Sequence, residues 1–272
     1  MRRHATVVAL LSLLLPAVLA GQTPATSPAP LDGVMITFAR FADIFGGRLV
    51  LAFDSIPASK YDYRPTPAQQ TIGYIAQHLI DANYGLCSRF ANMRYSTTAK
   101  DSLADTIKAR WPKDTLVARL DASLRFCDTA IQRAGKLESP TLASYLLAFE
   151  TDLAEHYSQL SSYMRLMGMV PPSALPPRPR TAIELPASAL AAYAGVYEFA
   201  PGWELRVTTQ NGALYGVSSL GGTPARLWPE SPTEFFLKEA DAQVTFTRNS
   251  SGAVTGAVVH QFGRDRAARK VR

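Results

Sequence analysis

His156 and Asp152 stand four residues apart, and Gln159 follows His156 by three. On a helix these offsets place the three side chains on one face, because residues three and four apart are neighbours there. A second histidine, His78, flanks the apolar positions Ile75 and Leu79. Buried imidazoles need hydrogen-bond partners, and a buried carboxylate is costly unless it is paired or bound to metal. A divalent cation held by His78, Asp152 and His156 would meet all three needs. Two imidazoles plus one carboxylate, with positions left open for water, is a catalytic ligand set for zinc or non-haem iron. Spacing alone leaves a second reading open, with Asp152 and His156 as an ion pair on a solvated face and His78 as a hydrogen-bonded core residue.

These side chains need long helices to carry them, and residues 32–170 supply the pattern. A first helix is expected over 33–53, ending near Asp54-Ser55-Ile56-Pro57. A second is expected from Thr66 as N-cap, with Pro67 at the first helical position and Gln69 two further on, running to about Cys87. Residues 89–113 read as a long, partly helical connection, and a third helix runs from about Asp114 to Arg133. The fourth starts at Ser139-Pro140, another N-cap followed by proline, and ends at Gly168 before Pro171-Pro172. Along it Leu142, Leu146, Phe149, Leu153, His156, Leu160, Tyr163 and Met167 alternate in steps of four and three. That is a seam facing other helices. Four amphipathic helices in this span imply a four-helix bundle, with 89–113 as its crossover.

The chain has 272 residues, 47% apolar and 18% charged. At roughly 100–200 residues per domain this allows one or two domains, and the composition excludes generic disorder. Arg2, Arg3 and His4, an apolar stretch over 6–19 and Val18-Leu19-Ala20 read as a signal peptide cleaved after Ala20. The stretch is short for a membrane span of ~20 residues, so no stable membrane insertion is expected after cleavage. The mature protein is expected in the periplasm or outside the cell. In that setting Cys87 and Cys127, the only cysteines, are a candidate disulfide; the alternative is two buried thiols. The net charge is +6, two units of which come from Arg2 and Arg3, and this argues against a nucleic-acid partner.

Residues 21–32 form a flexible Pro/Ser/Thr-rich lead-in, and the Pro-rich 171–186 an extended linker. From 187 to 272 the pattern changes to seven or eight short strands, including Glu204-Leu205-Arg206-Val207-Thr208 and Gln243-Val244-Thr245-Phe246-Thr247. Asn211-Gly212 and Ser251-Gly252 read as tight hairpin turns. A small antiparallel barrel is expected. Trp203, Tyr215, Trp228, Phe235, Phe236 and Phe246 fill its core or line a ligand cavity, and His260 reads as a strand residue with a satisfied side chain. The basic tail Arg264, Arg266, Arg269, Lys270 and Arg272 reads as a solvated last strand.

Several stretches carry a resemblance. They are Tyr61-Asp62-Tyr63-Arg64-Pro65-Thr66-Pro67, His78-Leu79-Ile80-Asp81-Ala82-Asn83-Tyr84, Leu86-Cys87-Ser88, Glu155-His156-Tyr157-Ser158-Gln159-Leu160, Tyr163-Met164-Arg165-Leu166 and Gly168-Met169-Val170-Pro171-Pro172. Over about 33–172 the chain resembles the DinB-like family of metalloenzymes. The resemblance implies a four-helix bundle whose metal ligands are one histidine on the second helix and an H-x-x-x-H-x-x-Q pattern on the last. His78, His156 and Gln159 match these positions, Gln159 as a supporting residue. Asp152 stands where the family has histidine, which changes charge and metal preference or marks a degenerate site. Some members are thiol-dependent transferases, a reaction that an exported chain, outside the cytosolic thiol pool, is not expected to share.

The run Ala194-Gly195-Val196-Tyr197, Pro201-Gly202, Leu227-Trp228-Pro229-Glu230, Phe235-Phe236 and His260-Gln261-Phe262-Gly263-Arg264 resembles the lipocalin-like domain appended to exported β-lactamase-like hydrolases. The S-x-x-K, G-x-S-x-G and H-E-x-x-H motifs of hydrolases are absent from the sequence. The expectation is therefore an α+β multidomain protein, a DinB-like bundle joined by a Pro-rich linker to a lipocalin-like barrel. Its expected cofactor is a divalent ion (Zn, Ni or Fe), used for hydrolysis or transfer on a small molecule the sequence does not name, with a homodimer possible. The alternative is a non-catalytic binding or scaffold protein with a degenerate metal site, whose barrel or interdomain groove holds the ligand.

Overall fold

A computed structural model describes residues 31–272. The signal peptide expected over 1–20, and the lead-in up to residue 30, lie outside the described residues. The protein is α+β. Its N-terminal part is helical, and its C-terminal part is a closed barrel of eight antiparallel strands. The described α-helices are α1 (Gly33–Ser55), α2 (Ile72–Cys87), α3 (Asp105–Lys108), α4 (Lys113–Ala134), α5 (Pro140–Leu166) and α6 (Ala187–Ala191). None is long and apolar enough to cross a membrane.

One core joins α1, α2, α4 and α5, with Leu49 and Phe53 meeting Ile75, Leu79, Leu120, Leu124, Phe149 and Leu153. Each of α1 and α2 packs on both α4 and α5. On α5, the seam positions Leu146, Phe149, Leu153, Leu160 and Tyr163 are buried, while Leu142, His156 and Met167 are half-buried. Ser139 caps this helix as expected, its Oγ accepting from the Leu142 amide at 3.1 Å. Gly168, at φ 74°, ends the turn beyond it.

The start of α2 corrects the sequence reading. Thr66-Pro67 makes only a turn, in which the Gln69 amide donates to the Thr66 carbonyl at 3.0 Å. Arg64 donates to the Pro67 carbonyl at 3.0 Å, so that acceptor serves the turn rather than a continuing helix. The cap is Thr71, whose Oγ1 accepts from the Tyr74 amide at 3.2 Å. The first amides of α2 are satisfied outside the helix: Ile72 donates to the Tyr63 carbonyl at 3.2 Å and Gly73 to that of Tyr61 at 2.9 Å.

Cys87 and Cys127 form a disulfide joining α2 to the middle of α4. Beside it Asn83 donates to Ser123 at 2.9 Å, a second buried tie between the same helices.

The strands are β1 (Gly195–Ala200), β2 (Trp203–Gln210), β3 (Ala213–Ser218), β4 (Ala225–Pro229), β5 (Glu234–Phe236), β6 (Ala242–Arg248), β7 (Val254–Gln261) and β8 (Arg264–Lys270). Each pairs with the next, and β8 closes on β1 through Tyr197↔Lys270 and Glu198↔Arg269. Asn211 and Gly212, at φ 49° and 72°, make the tight turn expected of them. Ser251-Gly252 does not. There the Asn249 side chain accepts from the Ser251 and Ala253 amides, building a longer loop. A second tight turn forms instead at Phe262-Gly263, φ 54° and 71°, between β7 and β8.

That turn docks on α1. A Cβ on Gly47 would lie 2.0 Å from the Phe262 carbonyl oxygen, so only glycine permits this approach. Behind it, β8 departs from the expected solvated strand. Arg264 and Arg266 are only 15% and 19% exposed. Arg266 binds Asp43 of α1 at 2.6 and 2.8 Å and Asp128 of α4 at 3.1 Å, and Arg264 binds Asp121 of α4 at 2.9 Å. Arg269 and Arg272 do stay in solvent. Trp203 of β2 belongs to the helical core and lies under Arg266, its ring centroid 4.7 Å away.

Glu150 on α5 is the least comfortable charge in the helical part. Both its carboxylate oxygens are buried without a hydrogen-bond partner. Burial, aided by the charge of Asp43, pushes its pKa up to about 8.

Two outcomes follow for stability. Replacing Cys87 and Cys127 by alanine removes a cross-link spanning 40 residues and is expected to cost about 3–4 kcal/mol in chemical denaturation. Because the Glu150 pKa is raised on folding, its contribution is most favourable below the unfolded carboxyl value and is lost as pH rises towards 8. The unfolding free energy of the wild-type protein should therefore fall between pH 5 and 8 by more than that of Glu150→Gln, the excess being at most about 4 kcal/mol in chemical denaturation.

Candidate metal centre

The packing of α2 on α5 brings the three expected ligands together. One donor atom from each of His78, Asp152 and His156 lies within 4.8 Å of the others. His78 Nε2 is 3.3 Å and His156 Nε2 3.4 Å from the same oxygen, Asp152 Oδ1. The two rings meet edge to face with centroids 4.9 Å apart. Ile75 and Leu79, both fully buried, anchor the helix on either side of His78. Leu153 and Leu160 do the same around His156.

Burial grades across the site. The His156 side chain is 12% exposed, Asp152 21% and His78 39%. The centre thus opens to solvent on the α2 side and is closed on the α5 side. Burial works to raise the Asp152 pKa, but the two imidazoles, where their Nε2 atoms carry a proton to donate, prevail and hold it down at about 2. The carboxylate is therefore charged at neutral pH.

A hydrogen-bond chain orients His156. Its Nδ1 lies 2.9 Å from Gln159 Oε1, which can only accept, so Nδ1 carries the proton. Gln159 Nε2 donates to the Tyr163 hydroxyl at 3.1 Å, and Tyr163 donates to the Gln70 carbonyl at 3.3 Å. In neutral His156 the lone pair then sits on Nε2, 3.4 Å from Asp152 Oδ1. Supporting residues of metal-bound histidines act in this way. Tyr163 is the member that sequence reasoning missed, since its seam position read only as core. Its place four residues after Gln159, on the same helix face, was the available signal.

The residues present fit a divalent ion. Asp152 Oδ2 is buried and has no hydrogen-bond partner, so the carboxylate has unused capacity. A neutral Nε2 facing a carboxylate oxygen leaves two acceptors opposed, a conflict that a cation or a proton removes. Ligand atoms bound at about 2.0–2.1 Å in tetrahedral geometry stand about 3.3 Å apart; both separations from Asp152 Oδ1 match this.

The other expected positions are resolved individually. His260 is satisfied within the sheet, by Thr245 at 2.9 Å and Asp265 at 2.7 Å, and takes no part in the centre. Phe235 and Phe246 are buried in the barrel core, and Phe236 is buried outside that cluster. Trp228 lies between Arg226 and Lys238, each 3.6 Å from its ring centroid, and Tyr215 is half-buried.

A family model described as a domain of unknown function (DUF3471) matches residues 179–270. The match takes in residues 179–186, which the sequence reading gave to the linker; here Arg180 pairs with Glu230 at 2.8 Å and Ile183 donates to the Pro229 carbonyl at 2.9 Å. No curated protein matches the chain. Among solved structures, one titled "Crystal structure of SurE with D-Leu" is similar at 21% identity and a TM-score of 0.30, covering 44% of this chain and 28% of that one.

Proposed function

We propose that the helical part is a DinB-like four-helix bundle formed by α1, α2, α4 and α5, and that the protein is an exported metalloprotein. In this reading His78, Asp152 and His156 hold a divalent ion, and the centre serves hydrolysis or group transfer on a small molecule. The C-terminal barrel is a lipocalin-like accessory module. The carrying observation is the arrangement of His156, whose Nδ1 is engaged by Gln159 and whose Nε2 stands 3.4 Å from a carboxylate that still has an unpartnered oxygen.

When bound, the ion would lower the pKa of a water ligand towards neutrality and polarise a substrate carbonyl or phosphoryl oxygen. Asp152 contributes one negative charge, so two imidazoles and a carboxylate leave net positive charge at the centre. Gln159 and Tyr163 keep His156 in one tautomer and one orientation. The more exposed His78 side leaves room for substrate to approach. The Asp152 charge and the imidazole pair favour zinc or iron over softer, thiolate-seeking ions. The disulfide supports export, since such bonds persist in oxidising compartments.

The mature protein, stripped with chelator, should take up one zinc, nickel or ferrous ion per chain in elemental analysis. Its melting temperature should rise by the equivalent of ~2.7 kcal/mol at a hundredfold excess over Kd. His156→Ala and Asp152→Ala should lose both effects. Absence of any metal-dependent shift in the wild-type protein would remove the reading. Gln159→Leu should retain the three ligands yet bind about 10–100-fold more weakly by competition titration. Hydrolysis of a panel of activated esters and amides should then depend on the added ion and disappear in His156→Ala.

A further inference from the structure

The barrel is filled unevenly. At one end Tyr193, Tyr197, Phe235 and Phe246 pack ring against ring, with centroids 4.6–5.4 Å apart. Towards the end that faces α1, the lining includes small residues such as Gly216, Ala225 and Ala242, and a cavity of about 270 Å³ remains. This lies just below the usual range of about 300–1,000 Å³ for small-molecule sites. Leu205, Leu227, Val244 and Val259 make its walls predominantly apolar.

Charge is confined to the mouth. Arg264 and Arg266 from β8, and Arg40 and Asp43 from α1, are the charged residues of the lining. Three guanidinium groups thus face one carboxylate. Asp43 is engaged by Arg266, while Arg264 and Arg266 also reach Asp121 and Asp128 on α4. Arg40 is exposed and makes no ion pair among the described residues. An apolar chamber ending at a spare cation discriminates by chemistry. Its walls favour a hydrocarbon body, and its mouth favours an anionic head over a neutral or cationic one.

We propose that this chamber binds a small amphipathic carboxylate of about a dozen non-hydrogen atoms, its hydrocarbon body in the barrel and its head group at Arg40. The site lies in the barrel and is independent of the metal centre, so either can fail without the other.

The test is calorimetric titration of the mature protein with decanoate, decanol and decyltrimethylammonium. Decanoate should bind one per chain, and the other two at least about tenfold more weakly. Arg40→Glu removes an exposed residue with no ion-pair partner and should keep the fold, verified by circular dichroism. It should weaken decanoate at least about tenfold while leaving decanol unchanged. Ala225→Phe fills the chamber and should abolish binding of both. The proposal is overturned if decanoate fails to saturate below about 1 mM, if decanol binds as tightly, or if Arg40→Glu has no effect on a folded protein. Should Ala225→Phe not fold, the Arg40→Glu and ligand comparisons still decide.

Discussion

A carboxylate drawn out of water between two imidazoles must have its charge answered locally, and Asp152 is in that position. His78 and His156 both approach one of its oxygens, at 3.3 and 3.4 Å, while the other oxygen is left without a partner. The packing of α2 on α5 exists around this arrangement. Fully buried aliphatic residues flank the two histidines, and Gln159 and Tyr163 hold the more buried imidazole in place. Isolated buried ion pairs are poor sources of stability. The helices are held together by the hydrocarbon around the charge, and the polar group at the seam is carried by that packing.

The parts of this design that obey local rules were legible in the sequence. Ser139-Pro140 capped α5 as read, the seam spacing put His156 and Asp152 on one face, and the cysteines met across α2 and α4. Misreadings arose where local signals competed. Thr66-Pro67 has the form of a helix start, but Arg64 captures the Pro67 carbonyl and Thr71 takes over as cap. Ser251-Gly252 resembles a tight turn, but the Asn249 side chain organises a wider loop.

The tail shows a different limit. Arg264 and Arg266 sit in a basic, strongly polar run, and no pattern within that run reveals that acidic residues far upstream wait for them. Alternation along β8 turns these two towards the helices and Arg269 to solvent, while Arg272 lies exposed beyond the end of the strand. Composition reports how much charge a strand carries, whereas the docking of β8 on α1 and α4 determines which of it is buried. Likewise Tyr163 read only as core, because the sequence could not show that its hydroxyl would end a chain leading to His156.

The contact of Gly47 with the Phe262 carbonyl has a consequence for how the two halves came to coexist. A helix without a side chain at that point and a hairpin that presses its backbone into the gap are shaped for each other. The barrel lifted out of this setting would present two uncompensated guanidinium groups at an open end. Its helical neighbour therefore completes its charge balance, and any other partner that covered the same strands would have to bring acidic groups for those arginines or leave them to water.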